Sequence, residues 1–146
     1  MDELVAFLVI LLGVFSLYAN DAYLRGQALY QVNQGKIAEG IQSYKELVNT
    51  TGKQDYEVLE ELALSILNQG VDASDPETQL LALYGASVSM NEKCDRLFER
   101  AYRSPFPPIQ AAALNAVSKS RSDMSNFILG QAIGASHPLI RLEAAL

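Results

Sequence analysis

Three prolines set the frame of this sequence: Pro76, Pro107 and Pro138 stand 31 residues apart, twice over. Proline lacks a backbone N–H and its ring clashes with the preceding turn, so each one must open a helix or break one. The residues after each proline are matched. Two residues on come Thr78, Ile109 and Ile140, then Gln79, Gln110 and Arg141. Six residues on come Ala82, Ala113 and Ala144, with Leu83, Leu114 and Ala145 next to them. A second set recurs as well, Leu97-Phe98 with Ile128-Leu129 and Ala101-Tyr102 with Ala132-Ile133. Self-similarity at a period of this size marks an array of small supersecondary units. Alanines on one face let helices approach closely and leucines fill the seam between them. One helix pair alone cannot bury such a seam, so the units must stack.

From Asn20 onward apolar residues recur at helical spacing, with no alternation of period two. The pattern predicts helices near 3–19, 21–33, 36–50, 55–68, 76–90, 92–103, 107–119, 123–134 and 138–146, and no strand. Gly35-Lys36 and Thr51-Gly52-Lys53 read as helix stops. Asp75-Pro76-Glu77 reads as an N-cap, a first-turn proline and a first-turn acid. Ser89-Met90-Asn91-Glu92 and Ser120-Arg121-Ser122-Asp123 have capping-box form. The expected fold is all-α: a right-handed α-solenoid of antiparallel helix pairs, preceded by a hydrophobic N-terminal helix. Residues 1–19 form a signal- or anchor-like segment, 20–70 a hairpin plus one helix, and 75–146 the repeating units, the last incomplete.

These residues carry resemblances. His137-Pro138-Leu139-Ile140-Arg141-Leu142-Glu143-Ala144-Ala145-Leu146 resembles the start of a short HEAT-type repeat, the form named for phycobilisome lyases. The likeness covers roughly 75–146. Thr78, Gln79 and Gln110 depart from that pattern, so the first two units are degenerate. The upstream hairpin is similar to a tetratricopeptide unit at Ala28, Gly35, Gly40, Ile41 and Tyr44, with Leu47 where a small residue is usual. Both resemblances imply scaffolding and protein binding rather than a shared chemistry.

Leu4 to Ala19 reads LVAFLVILLGVFSLYA, with no charge inside it. Sixteen helical residues reach about 24 Å, short of the roughly 30 Å hydrocarbon core. That length suits a signal-type or short anchoring segment, although acidic Met1-Asp2-Glu3 stands where a basic flank belongs. Export or membrane tethering through Leu4–Ala19 is one expectation. The other is a cytoplasmic assembly subunit in which this helix is buried.

Composition narrows the chemistry. One cysteine in 146 residues excludes an internal disulfide and multi-cysteine metal frameworks. One histidine excludes His-pair metal sites. A net charge of −6 argues against nucleic acid as a partner. No phosphate loop or nucleophile elbow is present in the sequence. Ser136-His137 reads as a turn and N-cap before Pro138, Cys94 as a buried small hydrophobe, and Glu60-Glu61 as a solvated face. No catalytic, cofactor or metal residue is assigned; an enzyme ranks third among the readings. Charge is unevenly spread, −8 over residues 1–77 and +2 over 78–146. Arg96, Arg100 and Arg103 fall at i, i+4 and i+7 on one helix and form the candidate protein-binding stripe, suited to a partner with an acidic surface. Glu92–Arg96 and Glu99–Arg103 are also i,i+4 pairs, and these alone would make the stripe an ordinary solvated face. The function expected is a non-enzymatic scaffold for protein–protein interaction. Leu139–Leu146 starts a third unit whose second helix does not follow in the sequence. The expectation is therefore a natural chain that continues past Leu146, or a second copy covering the open helix.

Overall fold

The computed structural model describes residues 20–120 and 122–146. The helix expected over 3–19 lies outside the described residues, as does Arg121. Among the described residues every regular element is helical, and none is a strand. No described helix is long and apolar enough to cross a membrane. The elements are α1 (20–33), α2 (Ile37–Thr51), α3 (Tyr56–Val71), α4 (Pro76–Ser89), a short 3₁₀ turn (Glu92–Cys94), α5 (Asp95–Tyr102), α6 (Pro107–Val117), α7 (Asp123–Ile133) and α8 (Pro138–Ala145). The chain divides into two compact units, one ending at Ala63 and the other Leu64–Leu146, with the boundary inside α3.

In the first unit α1 and α2 form a tight hairpin. Gly35 turns the chain at φ 77°, and Gly52 ends α2 in the left-handed conformation, donating its N–H to the Val48 carbonyl. The hairpin depends on Gly40, where α2 lies directly on α1. A Cβ there would stand 2.4 Å from Val32 Cγ2 and 2.8 Å from the Ala28 carbonyl oxygen. Ala28 and Val32 are fully buried beneath it. Ser43 Oγ donates to Gln31 Oε1 at 2.8 Å, tying the two helices together. The Tyr44 hydroxyl donates to the Asp55 carbonyl, where α3 begins. Asp55 caps α3 by accepting from the Val58 N–H, and Arg25 pairs with its carboxylate at 2.8 Å.

The second unit is organised by one turn, made three times. Asp75, Phe106 and His137, each before a proline, are extended at φ/ψ of −87/120°, −96/112° and −79/125°. The proline ring disfavours the helical region for the residue before it. Just upstream, Ala73, Ser104 and Ala135 donate their N–H groups three residues back, to Gly70, Ala101 and Ala132. Their own carbonyls are reached from the new helix. Gln79 Nε2 donates to Ala73 O at 2.6 Å, Gln110 Nε2 to Ser104 O at 2.7 Å, and Arg141 Nη1 to Ala135 O at 2.9 Å. Every one of these bonds is displaced by 31 residues from the last. The two glutamines therefore perform the same task as the arginine.

Burial repeats at the same interval. α4 packs against α6 and α6 against α8, while α5 packs against α7 and each of these joins its neighbours. Ala82/Ala113, Leu83/Leu114, Leu97/Ile128 and Ala101/Ala132 are buried pairs, joined by Ile109 and Ile140. The pattern reaches upstream into α3, where Leu67 and Gly70 precede Phe98 and Ala101 by 31 residues. A Cβ on Gly70 would meet Ala82 Cβ at 2.7 Å. Residues from 64 on thus belong with the repeating helices downstream, which is why the unit boundary falls within a continuous helix.

Most helix starts sit where the sequence places them, with Pro76, Pro107 and Pro138 in the first turns. Asp75 accepts from the Thr78 N–H at 2.9 Å and the Thr78 hydroxyl at 2.8 Å. These bonds hold its carboxyl below the usual carboxylate range. The cap is therefore in force above that range and lost as pH falls through the depressed pKa. Two caps are framed differently from expectation. Asn91, not Ser89, caps the turn after α4 by accepting from the Lys93 N–H; Ser89 Oγ donates to the Ala86 carbonyl and accepts from the Asn91 N–H, short of the new turn. Ser122, not Ser120, caps α7 by accepting from Ser125 N, while Ser120 Oγ reaches Asp95. The helix expected over 92–103 is divided for the same reason, its first residues winding as a 3₁₀ turn after Asn91.

Gly40→Ala should lower stability by about 1–3 kcal/mol, since the added carbon meets the fully buried Val32 side chain and, behind it, the Ala28 carbonyl, which cannot both move aside; urea denaturation measures it. Gln110→Leu should cost about 1–2 kcal/mol by stranding the Ser104 carbonyl. Gln110→Arg should stay near wild type, as Arg141 already makes the same bond. Equal losses in the two Gln110 variants would show that the bond to the turn carries none of the stability.

Candidate functional site

Two surfaces of the second unit stand out, the arginines of α5 and the face of α4 and α6. The sequence treats Arg96, Arg100 and Arg103 as one stripe; the structure gives each a different task. Arg100 Nη2 donates to Asn68 Oδ1 at 2.6 Å and Nη1 lies 3.4 Å from Asp72 Oδ2. Both acceptors sit at the C-terminal end of α3, which has no basic residue in its own last turn. Arg100 supplies the cation that such an end attracts. Arg103 pairs with Glu99 one turn earlier. Arg96 is exposed, and among the described residues no ion pair joins it to Glu92. The reason is local: Glu92 lies in the 3₁₀ turn, so the step to Arg96 is not one turn of α-helix.

The other single residues fall where structural roles place them. Cys94 is buried, and its 31-residue counterpart Ser125 is buried too. His137 Nδ1 accepts from the Leu139 N–H, an N-cap contact. Among the described residues no three His, Cys, Asp or Glu side chains come together to hold a metal ion. In the first unit a cleft of about 670 Å³ is lined in part by Asp21, Arg25, Lys53, Asp55 and Tyr56. Its Arg25–Asp55 pair already serves the start of α3.

The face of α4 and α6 was not singled out from sequence. Between Thr78 and Met90 there is no charged residue, and none between Pro107 and Ser118. An α-helix apolar on every side is normally enclosed. Here Leu81, Tyr84 and Val88 remain 66%, 71% and 64% exposed. They stand at i, i+3 and i+7, which is one stripe. The exposure is particular to α4, because the counterparts one interval on are Ala112, Asn115 and Lys119. A groove of about 530 Å³ runs between the two helices, lined by Tyr84, Val88, Ala112 and Asn115 among others. It adjoins a pit of about 190 Å³ lined by Ala86, Phe98 and Ala116 and bordered by Met90, Lys119 and Ser120. Ser87, Ala116 and Lys119 line both. Met90 comes just after α4 and Lys119 just after α6, so the C-terminal ends of the two helices lie together and the helices run parallel. The sequence signal was the missing charge, not any motif.

No family model matches the chain, and neither a curated protein nor a solved structure does.

Arg100→Gln should destabilise the fold by about 0.5–1 kcal/mol through the loosened end of α3, whereas Arg96→Gln should leave the denaturation midpoint unchanged. Equal midpoints for both variants would return Arg100 to a plain solvated side chain.

Proposed function

We propose that this chain is a non-enzymatic helical-repeat scaffold that binds another protein. In this reading residues 75–146 are HEAT-like units of a right-handed α-solenoid and 21–50 a tetratricopeptide-like hairpin. The observation that carries it is the exposed, uncharged face of α4. A contiguous apolar stripe left in water is the ordinary mark of a docking surface. The recurrence of the same turn bonds at 31-residue intervals supports the repeat reading. Arg96, with its fork open, together with the partly exposed Arg100 and Arg103, offers a second surface, to an acidic patch of a partner. Leu4–Ala19 would hold the scaffold at or beyond a membrane, given its apolar length and lack of charge.

Quantitative cross-linking capture from native cells tests this, with wild type, Leu81→Glu and the triple Arg96/Arg100/Arg103→Gln variant compared at equal helicity. A partner held by wild type and lost from one of the variants is the expected result. An identical set of proteins on all three would overturn protein binding through these surfaces. Sequencing the native N-terminus in membrane and soluble fractions checks the tether; a chain intact from Met1 and wholly soluble would remove it.

A further inference from the structure

The α4/α6 groove carries the protein-binding reading one step further, and that step rests on the reading itself. We infer that the groove receives one amphipathic helix of a partner protein, lying antiparallel to α4 and α6, with an acid in its first turn and a base in its last. A groove between two parallel helices accepts a third helix through residues spaced i, i+3 or i+4, and i+7. Tyr84 and Val88 line the groove from the protein side, and exposed Leu81 continues their stripe one turn earlier at its rim. The α4 helix has 14 residues, about 21 Å, so an occupant of some 14–16 residues spans the groove.

Polarity is set by the groups at the two ends. Glu77 is exposed in the first turn of α4, and Lys119 lines the groove just past the end of α6. Asp75, the N-cap of α4, adds a second acid at the Glu77 end; Glu143 of α8 is engaged by Asn115 Nδ2, and within α4 and α6 Glu77 is the one charged residue. Glu92 and Asp95 border the pit but not the groove, and Asp95 is engaged by Ser120. The C-terminal ends of α4 and α6, both carrying partial negative charge, meet beside Lys119. An antiparallel occupant sets its positive N-terminal end against them. Acids are favoured in the first turn of any helix and bases in the last, so the same orientation brings an acid to Lys119 and a base to Glu77. A parallel occupant would fail on each of these counts. An apolar side chain from the occupant's first turn would enter the pit over Ala86, Phe98 and Ala116.

The test uses the full chain and three synthetic helices of about sixteen residues. The first carries leucines at i, i+3 and i+7, glutamates in its first turn and lysines in its last. The second exchanges the glutamates and lysines, and the third replaces the leucines by serine. Fluorescence anisotropy should show the first binding about three- to tenfold more tightly than the second, with the third not binding. Lys119→Glu should abolish the preference of the first over the second. Leu81→Glu should weaken both with unchanged circular dichroism. Equal binding of the first two helices, or binding indifferent to Leu81→Glu, overturns the inference. So does a photo-crosslinker at Tyr84 that joins a second copy or Leu4–Ala19. Failure of all three helices while vesicles of phosphatidylcholine and phosphatidylglycerol bind wild type but not Leu81→Glu overturns it in favour of a lipid surface. If a native partner is lost from Leu81→Glu yet no helix binds, the scaffold stands and the helical occupant falls.

Discussion

The second unit depends on a restriction on one backbone residue. A proline drives the residue before it out of the helical region, so the chain must turn at Asp75, Phe106 and His137. Turning there leaves a carbonyl from the end of the preceding helix without a backbone donor in the new one. The side chain four places into the new helix, Gln79, Gln110 or Arg141, donates to it. The proline chooses where the chain turns, and this bond fixes how the next helix leaves the turn. With the direction fixed, Ala82 comes close against Gly70 of the preceding helix, Ala113 is buried at the matching place one interval on, and the leucines beside them are buried too. Local stiffness, one hydrogen bond and small side chains thus act in sequence.

The same economy explains why the exposed face of α4 is conspicuous. A helix held in place by its buried side has no structural need for apolar residues on the other. On α6 that other side carries Asn115, with Lys119 just beyond the helix end, as water exposure favours. On α4 it carries Leu81, Tyr84 and Val88, large apolar groups that the fold leaves mostly exposed. Their burial would be favourable by roughly 1.5–3 kcal/mol for each fully covered side chain. The arginines of α5 show the contrary situation. Arg100 gives up part of its freedom to close the end of α3, so a feature that looks like a recognition stripe is partly structural.

Much of the helical layout was legible because prolines, helix-stopping glycines and evenly spaced alanines act through local sterics. Helix ends marked by Pro76, Gly52 and Pro138 therefore fall where their residues put them. Capping serines were harder to read. Ser89 and Ser122 have the same hydroxyl, and only the path of the chain decides which backbone N–H each accepts: that of Asn91, two residues on, for Ser89 and that of Ser125, in the first turn of α7, for Ser122. The pairing of Arg100 with Asn68 joins residues 32 positions apart, beyond any helix-face argument. The upstream reach of the pattern was hidden because Gly70 stands in the place that Ala101 and Ala132 take later, and no proline announces it. Its close approach to Ala82 is what reveals the match. The N-terminal segment, read from sequence as an anchor or a buried helix, lies outside the described residues.

The fixed interval between turns has a genetic consequence. Gly70 meets Ala82 as the small residue at the end of one helix meets the alanine opening the next, and Ala113 occupies that second place one interval later. An in-frame excision or duplication of 31 codons anywhere between Pro76 and Pro138 would therefore rejoin like to like, with every turn carbonyl still facing a donor. Most insertions in a packed protein must be absorbed by a loop; here the tolerated quantum of length change is a whole number of turns of this kind. The number of units is then free to drift by recombination while the chemistry of each junction stays the same, so a gene of this design can adjust how much surface it encodes without first solving a new packing problem.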